Sequence, residues 1–336
     1  MQITPDPSER EAPIESDAPR RPLVAVVGPT GSGKSALALA LAERFDGEIV
    51  NCDSLQVYRR FDIGAAKLPE AERRGIPHHL IDIRDPDSVF TAGEYARLAR
   101  QAIAGITQRG RLPIVTGGTG FYLRALIDGL FQGPSRHQPL RDRLAAREAR
   151  RRGSLHRLLT RFDPQSAARI HPHDLPKATR ALEVCLLARR PASELFRQGR
   201  DALRGYAPLK LGLLPDREAL HQRLDARCRA MFEGGLVEEA RHILALGYPP
   251  SIKPFESLCY RQALQLIHGE LNLRDAIFYA QRTTRQYAKR QITWFRREPG
   301  LEWLRGFGED PHIRDAALVR VGAFLAAVGR DSFLPG

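Results

Sequence analysis

Two hydrophobic periods alternate along the first third of the chain. Short apolar runs at 23–27, 48–52, 79–83 and 112–116 predict strands. Between them, patterns of period 3.6 predict helices starting near Gly33, Thr91 and Phe121. Strands and helices that alternate in this way predict a parallel sheet with helices on its faces. From about residue 134 the strand signal stops. Residues 138–190 carry only helical patterns, rich in Arg and Ala, and a fifth strand candidate follows at Lys210-Leu211-Gly212-Leu213-Leu214. Helical patterns fill most of the rest and end in a long one over 273–297. The expected fold class is α/β: a parallel-sheet core formed by 22–133 and 205–300, a helical insertion at 134–204, and a C-terminal segment at 301–336. Residues 1–21 hold four prolines and five acids without an apolar core, which predicts a disordered tail rather than a signal peptide.

Composition narrows the function classes. With 336 residues the chain can bury a full core, and its net charge of +13 suits a nucleic-acid partner or another anionic surface. No apolar run approaches the roughly 18 residues of a membrane helix. Cys52, Cys185, Cys228 and Cys259 are far apart in sequence, which fits neither zinc spacing nor a disulfide framework and predicts a reducing, cytoplasmic setting.

The charge is concentrated. Between Arg136 and Arg161 nine arginines face only Asp142 and Glu148, and between Arg282 and Arg297 five arginines and Lys289 meet no acid. Together these segments carry as much excess positive charge as the whole chain. Arg282, Arg285, Lys289 and Arg296 share one face of a helix, with Tyr279, Tyr287, Trp294 and Phe295 interleaved. A solvated helix face normally mixes signs, so a single-sign stripe points to phosphate-backbone contact.

The sharpest motif is Gly28-Pro29-Thr30-Gly31-Ser32-Gly33-Lys34-Ser35, directly after the apolar run 23–27 and before a helical pattern. Strand, glycine loop and helix make this a P-loop. Its backbone N–H groups can curl around phosphate oxygens, Lys34 adds a point charge, and Ser35 can ligate Mg²⁺. The expected core is thus P-loop NTPase-like. At the end of the second predicted strand, Asp53 should face the same crevice, because ligands of open parallel sheets sit at the strands' carboxyl ends. Spacing leaves it as a metal ligand, a general base or a cap of the following turn. Thr116-Gly117-Gly118-Thr119-Gly120 ends the fourth strand. Its glycines permit close backbone approach to a ligand, and Thr119 could bond a phosphate or cap the next helix. His78 and His79 suggest metal only weakly, since neighbours on a strand face opposite sides. Asp82 resembles a Walker B carboxylate or a turn residue before Pro86.

These segments together resemble one family closely, the tRNA dimethylallyltransferases, or tRNA isopentenyltransferases. The resemblance runs from about residue 22 to about 297. It rests on G-P-T-G-S-G-K-S at 28–35, D-S-L-Q-V-Y at 53–58, D-I-G-A-A-K at 62–67 and H-L-I-D-I-R-D-P at 79–86. G-G-T-G-F-Y at 117–122, R-A-L-E-V at 180–184 and T-R-Q-Y-A-K-R-Q-I-T-W-F-R at 284–296 complete it. Seven matches in order are highly specific.

The resemblance implies transfer of a dimethylallyl group from dimethylallyl diphosphate to the exocyclic amine of the adenosine 3′ to the anticodon. It implies that residues 28–35, Thr30 and Ser32 included, hold the diphosphate, with Mg²⁺ near Ser35. It implies that Asp53 is the general base and that Thr119 sits near the reacting base. Ser54, Leu55 and Gln56 would read that base. Arg141, Lys177, Thr179, Arg180, Tyr260, Arg261, Arg282, Arg285 and Lys289 would contact tRNA. One of Arg223 and Arg227 would sit at the diphosphate. A monomer with the tRNA anticodon stem-loop as partner and no membrane is expected. Two positions depart from the family pattern: Cys259 stands where glycine is usual, and Ala65 where threonine is. A positive φ at Cys259 would strain it.

Overall fold

The computed structural model describes residues 20–197 and 199–329. The tail expected at 1–21 lies outside the described residues up to residue 19; from Arg21 the chain is already strand. Six parallel strands form one sheet in the order β3-β2-β4-β1-β5-β6. They are β1 (Arg21–Val27), β2 (Gly47–Asn51), β3 (His78–His79), β4 (Leu112–Gly117), β5 (Tyr206–Leu213) and β6 (Leu301–Leu304). β1 lies at the centre, with Val24 opposite Ile114 of β4 and Leu209 of β5. A parallel strand is buried on both faces, which is why 23–27 reads as an unbroken apolar run. Val24 and Val26 pack under α1 (Lys34–Arg44) and α13 (Pro311–Val328). Leu23, Ala25 and Val27 face the other way, under α2 (Ala92–Gln108) and α3 (Gly120–Ile127). The expected start of α2 is fixed by an N-cap: the Thr91 side chain accepts from Glu94 N–H.

Two expectations change. The strand predicted at 79–83 is only two residues long, because Leu80 and Asp82 adopt φ of 63° and 56° and leave the extended region. The core also runs past residue 300. β6 pairs with β5, and α13 places Ile313, Ala317 and Val321 in the core beneath α1.

The insertion is helical throughout. It comprises α4 (Gln138–Arg150), α5 (Ser154–Phe162), α6 (Pro164–Arg169), α7 (Leu175–Ala188) and α8 (Ala192–Arg197), around a core of its own that includes Leu144, Leu159 and Leu182. After β5, α9 (Arg217–Glu233), α10 (Leu236–Ala245), α11 (Tyr260–Ile267) and α12 (Leu273–Phe295) enclose a further apolar cluster with Phe61, Phe255 and Tyr260. Cys259, just before α11, has φ 67° and ψ −43°, and Leu258 C=O accepts from Tyr260 N–H at 2.9 Å. That is a strained γ-turn, and it places a side chain where the family's glycine would be relaxed. Among the described residues no helix is long and apolar enough to cross a membrane.

The insertion's polar centre is Glu183, fully buried on α7. Its carboxylate accepts two bonds from Arg141, at 2.8 and 2.7 Å, one from Arg180 at 2.6 Å and one from His137 N–H at 2.7 Å. Burial alone would raise this carboxyl. The bonds from Arg141, His137 and Arg180 outweigh it and pull the pKa down to about 2. Stability from this group is therefore complete above the unfolded carboxyl value near 4.5 and is lost as pH falls toward about 2. Glu183→Ala should destabilise the insertion by about 3 kcal/mol at pH 7 in urea unfolding. Glu183→Gln should flatten the acid limb of stability against pH, and an unchanged limb would show that this carboxylate does not set it.

Candidate functional site

The carboxyl ends of β1, β2 and β4 open into a cavity of about 690 Å³. The loop after β1 forms its floor. Gly28, Gly31 and Gly33 hold φ of 147°, 77° and 83°, conformations that bend the loop into a cradle. Lys34 folds back, its ammonium donating to Pro29 C=O at 2.6 Å. Burial pulls its pKa down to about 8, against the opposing pull of Asp53. The Ser32 hydroxyl is buried with no hydrogen-bond partner, and so is that of Thr116. An orphan hydroxyl in a cradle of backbone N–H groups fits an anionic oxygen ligand. Ser35, at the start of α1, lines the same cavity and offers a hydroxyl suited to Mg²⁺.

Asp53 fills one of the three roles that its spacing allows, the cap of the following turn. Its Oδ1 accepts from Leu55 N–H at 2.8 Å and Gln56 N–H at 3.4 Å, capping the turn. Among the described residues Oδ2 makes no hydrogen bond, and the residue lines the cavity. One oxygen thus anchors the carboxylate while the other stays available to take a proton. Asn51 supports the turn, its Oδ1 accepting from Asp53 N–H at 3.1 Å. Thr119 occupies the N-cap position of α3, yet its hydroxyl caps nothing there. Instead it accepts from Ser54 N–H at 3.1 Å and ties the Asp53 turn to the end of β4.

Gly117 and Gly118 serve the protein's own packing more than a ligand's approach. A Cβ on Gly117 would fall 2.1 Å from Cys52 C=O, and one on Gly118 2.2 Å from the Gln291 amide nitrogen. Gln291 lies within the resembling stretch 284–296, but that pattern marks no role for it. From α12 its Oε1 accepts from Thr30 N–H at 2.8 Å and its Nε2 donates to Gly118 C=O at 2.9 Å. It joins the phosphate loop, β4 and the basic helix in one bridge. A signal was present: Gln291 lies on the face of α12 that also carries the buried Thr284, Ala288 and Phe295. A polar side chain amid that buried face needs buried partners.

Arg223 and Arg227 of α9 both reach the cavity, in different settings. Arg227 lies close enough to Lys34 and Asp53 to influence both, and burial pulls its own pKa down. Arg223 sits at the mouth, ion-paired with Glu309 and stacked on Phe307 at 4.7 Å. Glu309 comes from the loop before α13, where Gly308 N–H also donates to Ser32 C=O at 2.9 Å. It lies beyond the stretch of family resemblance, so no motif marked it.

The other sequence-selected residues separate into groups. Gln56 lines the cavity and donates to Ala65 C=O at 3.1 Å; Ser54 is exposed and Leu55 half-buried beside it. Arg141 and Arg180 are held by Glu183, Lys177 pairs with Asp174, and Thr179 is half-buried, all on the insertion. Tyr260 is fully buried; its hydroxyl donates to Glu239 and accepts from Gly64 N–H at 3.1 Å. It braces the 62–67 loop from inside the core, while its neighbour Arg261 is exposed. On α12, Arg282 and Lys289 are exposed, but Arg285 is neutralised by Asp225. Asp82 pairs with Lys67, and His79 with Glu48 at 2.7 Å. Among the described residues no group of three or more His, Cys, Asp or Glu could hold a metal ion.

The parallel sheet, the cradle and the carboxylate at its rim define a P-loop NTPase-like α/β protein built around an anionic oxygen ligand. Residues 56–298 match the model of the IPP transferase family, and the chain belongs to that family. The tRNA dimethylallyltransferase of Solibacter usitatus (strain Ellin6076) is 73% identical over 304 residues, 90% of this chain and 99% of that one. Among solved structures, the full-length tRNA isopentenylpyrophosphate transferase of Bacillus halodurans aligns at 35% identity and a TM-score of 0.67, covering 92% of this chain and 97% of its own. A eukaryotic dimethylallyltransferase seen in crystallographic snapshots acting on tRNA aligns at 27% identity and a TM-score of 0.81, covering 94% and 82%.

The different settings of the two arginines lead to a ranking. Arg227→Ala should weaken binding of inorganic diphosphate by about 10–100-fold, the worth of one charge-assisted hydrogen bond. Arg223→Ala should weaken it only a few-fold, since Glu309 already engages that guanidinium. Titration calorimetry of both variants checks this, and the reverse order would move the anion to the cavity mouth.

Proposed function

We propose that the chain transfers the dimethylallyl group of dimethylallyl diphosphate to the exocyclic amine of the adenosine 3′ to the anticodon of tRNA. The products are isopentenyladenosine and diphosphate. One observation carries the reading: the free oxygen of Asp53 shares a cavity with the P-loop, Lys34 and Arg227. Family membership supports it.

In this reading the loop of residues 28–35 holds the diphosphate through its N–H groups, with Lys34 and Arg227 countering the charge that grows as the carbon–oxygen bond breaks. The bonding electrons leave with the diphosphate oxygen. The amine lone pair forms the new carbon–nitrogen bond, and the amine proton passes to Asp53 Oδ2. An aryl amine is a weak nucleophile, so proton removal during attack matters. Thr119 and Gln56 frame the space where the base enters, and the base must leave its stack to reach it. Mg²⁺ held at Ser35 would supply further charge stabilisation to the leaving group when bound. Tyr287, raised by burial and by the nearby Asp53, stays a neutral phenol beside the reacting groups. Action as a monomer in the cytoplasm belongs to the same reading.

The test uses unmodified tRNA and labelled dimethylallyl diphosphate. Wild type should place label in tRNA. Asp53→Ala should lower turnover by about 10²–10⁴-fold, the range of a missing general base, while tRNA binding persists. Label that never enters RNA, together with rapid ATP hydrolysis, would overturn the assignment in favour of a nucleotide-hydrolysing role.

A further inference from the structure

Two of the four free thiols face each other. Cys228 lies on α9 and Cys259 just before α11, and their sulfurs are 3.9 Å apart, both buried. The Cys228 sulfur also lies 3.5 Å from the Thr284 hydroxyl of α12, which can turn to donate to a thiolate. The Arg227 guanidinium adds positive charge near both sulfurs. The bond with the Cys259 thiol pulls Cys228 below the usual thiol value, and Thr284 and Arg227 pull the same way against burial. The same bond, with burial, pushes Cys259 up. The pair is therefore a nucleophilic sulfur beside a thiol that can resolve it. The other two cysteines lack this arrangement. Cys52 donates to Thr119 C=O at 3.7 Å, Cys185 accepts from Ala192 N–H at 3.3 Å, and burial raises both thiols.

Placement links the pair to the cavity. Cys228 follows Arg227, which lines the cavity. Cys259 precedes Tyr260, whose hydroxyl braces the 62–67 loop through Gly64 and Glu239. Gln56, beside Asp53, donates to that loop at Ala65 C=O. Cys259 also holds its sulfur in a left-handed backbone, φ 67°, that glycine would adopt without strain. A strained residue with a second sulfur in reach points to chemistry more than to packing. A disulfide brings its sulfurs to about 2 Å. In a close-packed core, closing the gap shifts α9, the turn at Cys259 or both.

We propose that Cys228 and Cys259 form a reversible disulfide when oxidised by hydrogen peroxide, and that this bond draws Arg227 away from the bound diphosphate. The Cys228 thiolate attacks a peroxide oxygen; the O–O bond breaks, and the departing hydroxide takes up the proton that Cys228 released. The Cys259 thiol then attacks the sulfenyl sulfur. The S–O bond breaks, and the oxygen leaves as water with the Cys259 proton. The two thiols lose two electrons and two protons, and the peroxide becomes two waters. Burial admits a small uncharged oxidant and excludes a bulky charged one such as glutathione disulfide. The effect on turnover rests on the transfer reading above; the bond and its effect on anion binding do not.

The test treats the reduced full chain with a small excess of hydrogen peroxide and maps its peptides by mass spectrometry without reductant. A peptide pair linked through Cys228 and Cys259, lighter by two hydrogens than the thiol forms, is expected, with Cys52 and Cys185 still free. Calorimetry should then show inorganic diphosphate bound about 10–100-fold more weakly, the worth of the Arg227 contact, and dithiothreitol should restore the affinity. Cys259→Gly, the residue usual in the family, should bind diphosphate as reduced wild type does and keep that affinity after peroxide. No linked peptide, no loss of affinity in oxidised wild type, or an equal loss in Cys259→Gly would overturn the proposal. Glutathione disulfide at the same excess should link nothing; linkage by it would overturn peroxide as the selected oxidant. In the transfer assay the oxidised protein should show a raised KM for dimethylallyl diphosphate. If reduced wild type transfers nothing, the reaction assignment falls, while the linked peptide and the diphosphate titration still decide the switch.

Discussion

The buried amide of Gln291 is the interaction on which the rest of the site depends. It satisfies a backbone donor of the phosphate loop and a backbone acceptor at the end of β4, and it does so from a helix whose outer side is cationic. Neither backbone group has another partner among the described residues, so removing the amide would leave two polar groups unsatisfied. The bridge also removes freedom between elements that the sheet alone does not fix. β1 and β4 are paired, but the loop after β1 hangs beyond the last ladder bond, and a side chain from outside the sheet holds it. An anion-binding loop held this way is shaped before its ligand arrives, which lowers the entropy cost of binding.

What the sequence made legible follows the range of the interactions involved. The P-loop, the start of α2 at Thr91 and the interior of β1 depend on residues within a few positions of one another, so pattern and motif suffice. The shortened β3 was not legible. It ends where Leu80 turns to positive φ, and Asp82 two residues on pairs with Lys67, fifteen positions away. The roles of Arg141 and Arg180 were obscured for a related reason. A count of charge sees an arginine-rich segment, but Glu183 takes up one of its cations, Arg141, together with Arg180 of α7, in a buried knot. Tyr260 is expected at the tRNA only through the family resemblance; its ring fills the core beneath Gly64. Glu309 and β6 lie beyond the resembling stretch, where no local pattern announced that the chain returns to the sheet.

The two basic segments therefore differ in kind. In the insertion, part of the positive charge is structural and supports α4 against α7. Along α12, past Arg285, the cations Lys289 and Arg290 form no ion pair among the described residues, and that helix borders the cavity through Gln291. The distinction rests on partners, since both segments have similar composition. It also separates residues whose removal would unfold a module from residues whose removal would change what binds.

The loop at Phe307–Glu309 bears on how the protein comes into being. Gly308 bonds the P-loop backbone at Ser32, and Glu309 closes over Gly33 while holding Arg223. The phosphate cradle leaves the ribosome well before the residues that complete its wall. Until residues 308–309 are free, the loop of residues 28–35 has a sheet strand and a helix but no lid on its outer side. A nascent chain stalled before β6 would carry the motif without the enclosed site.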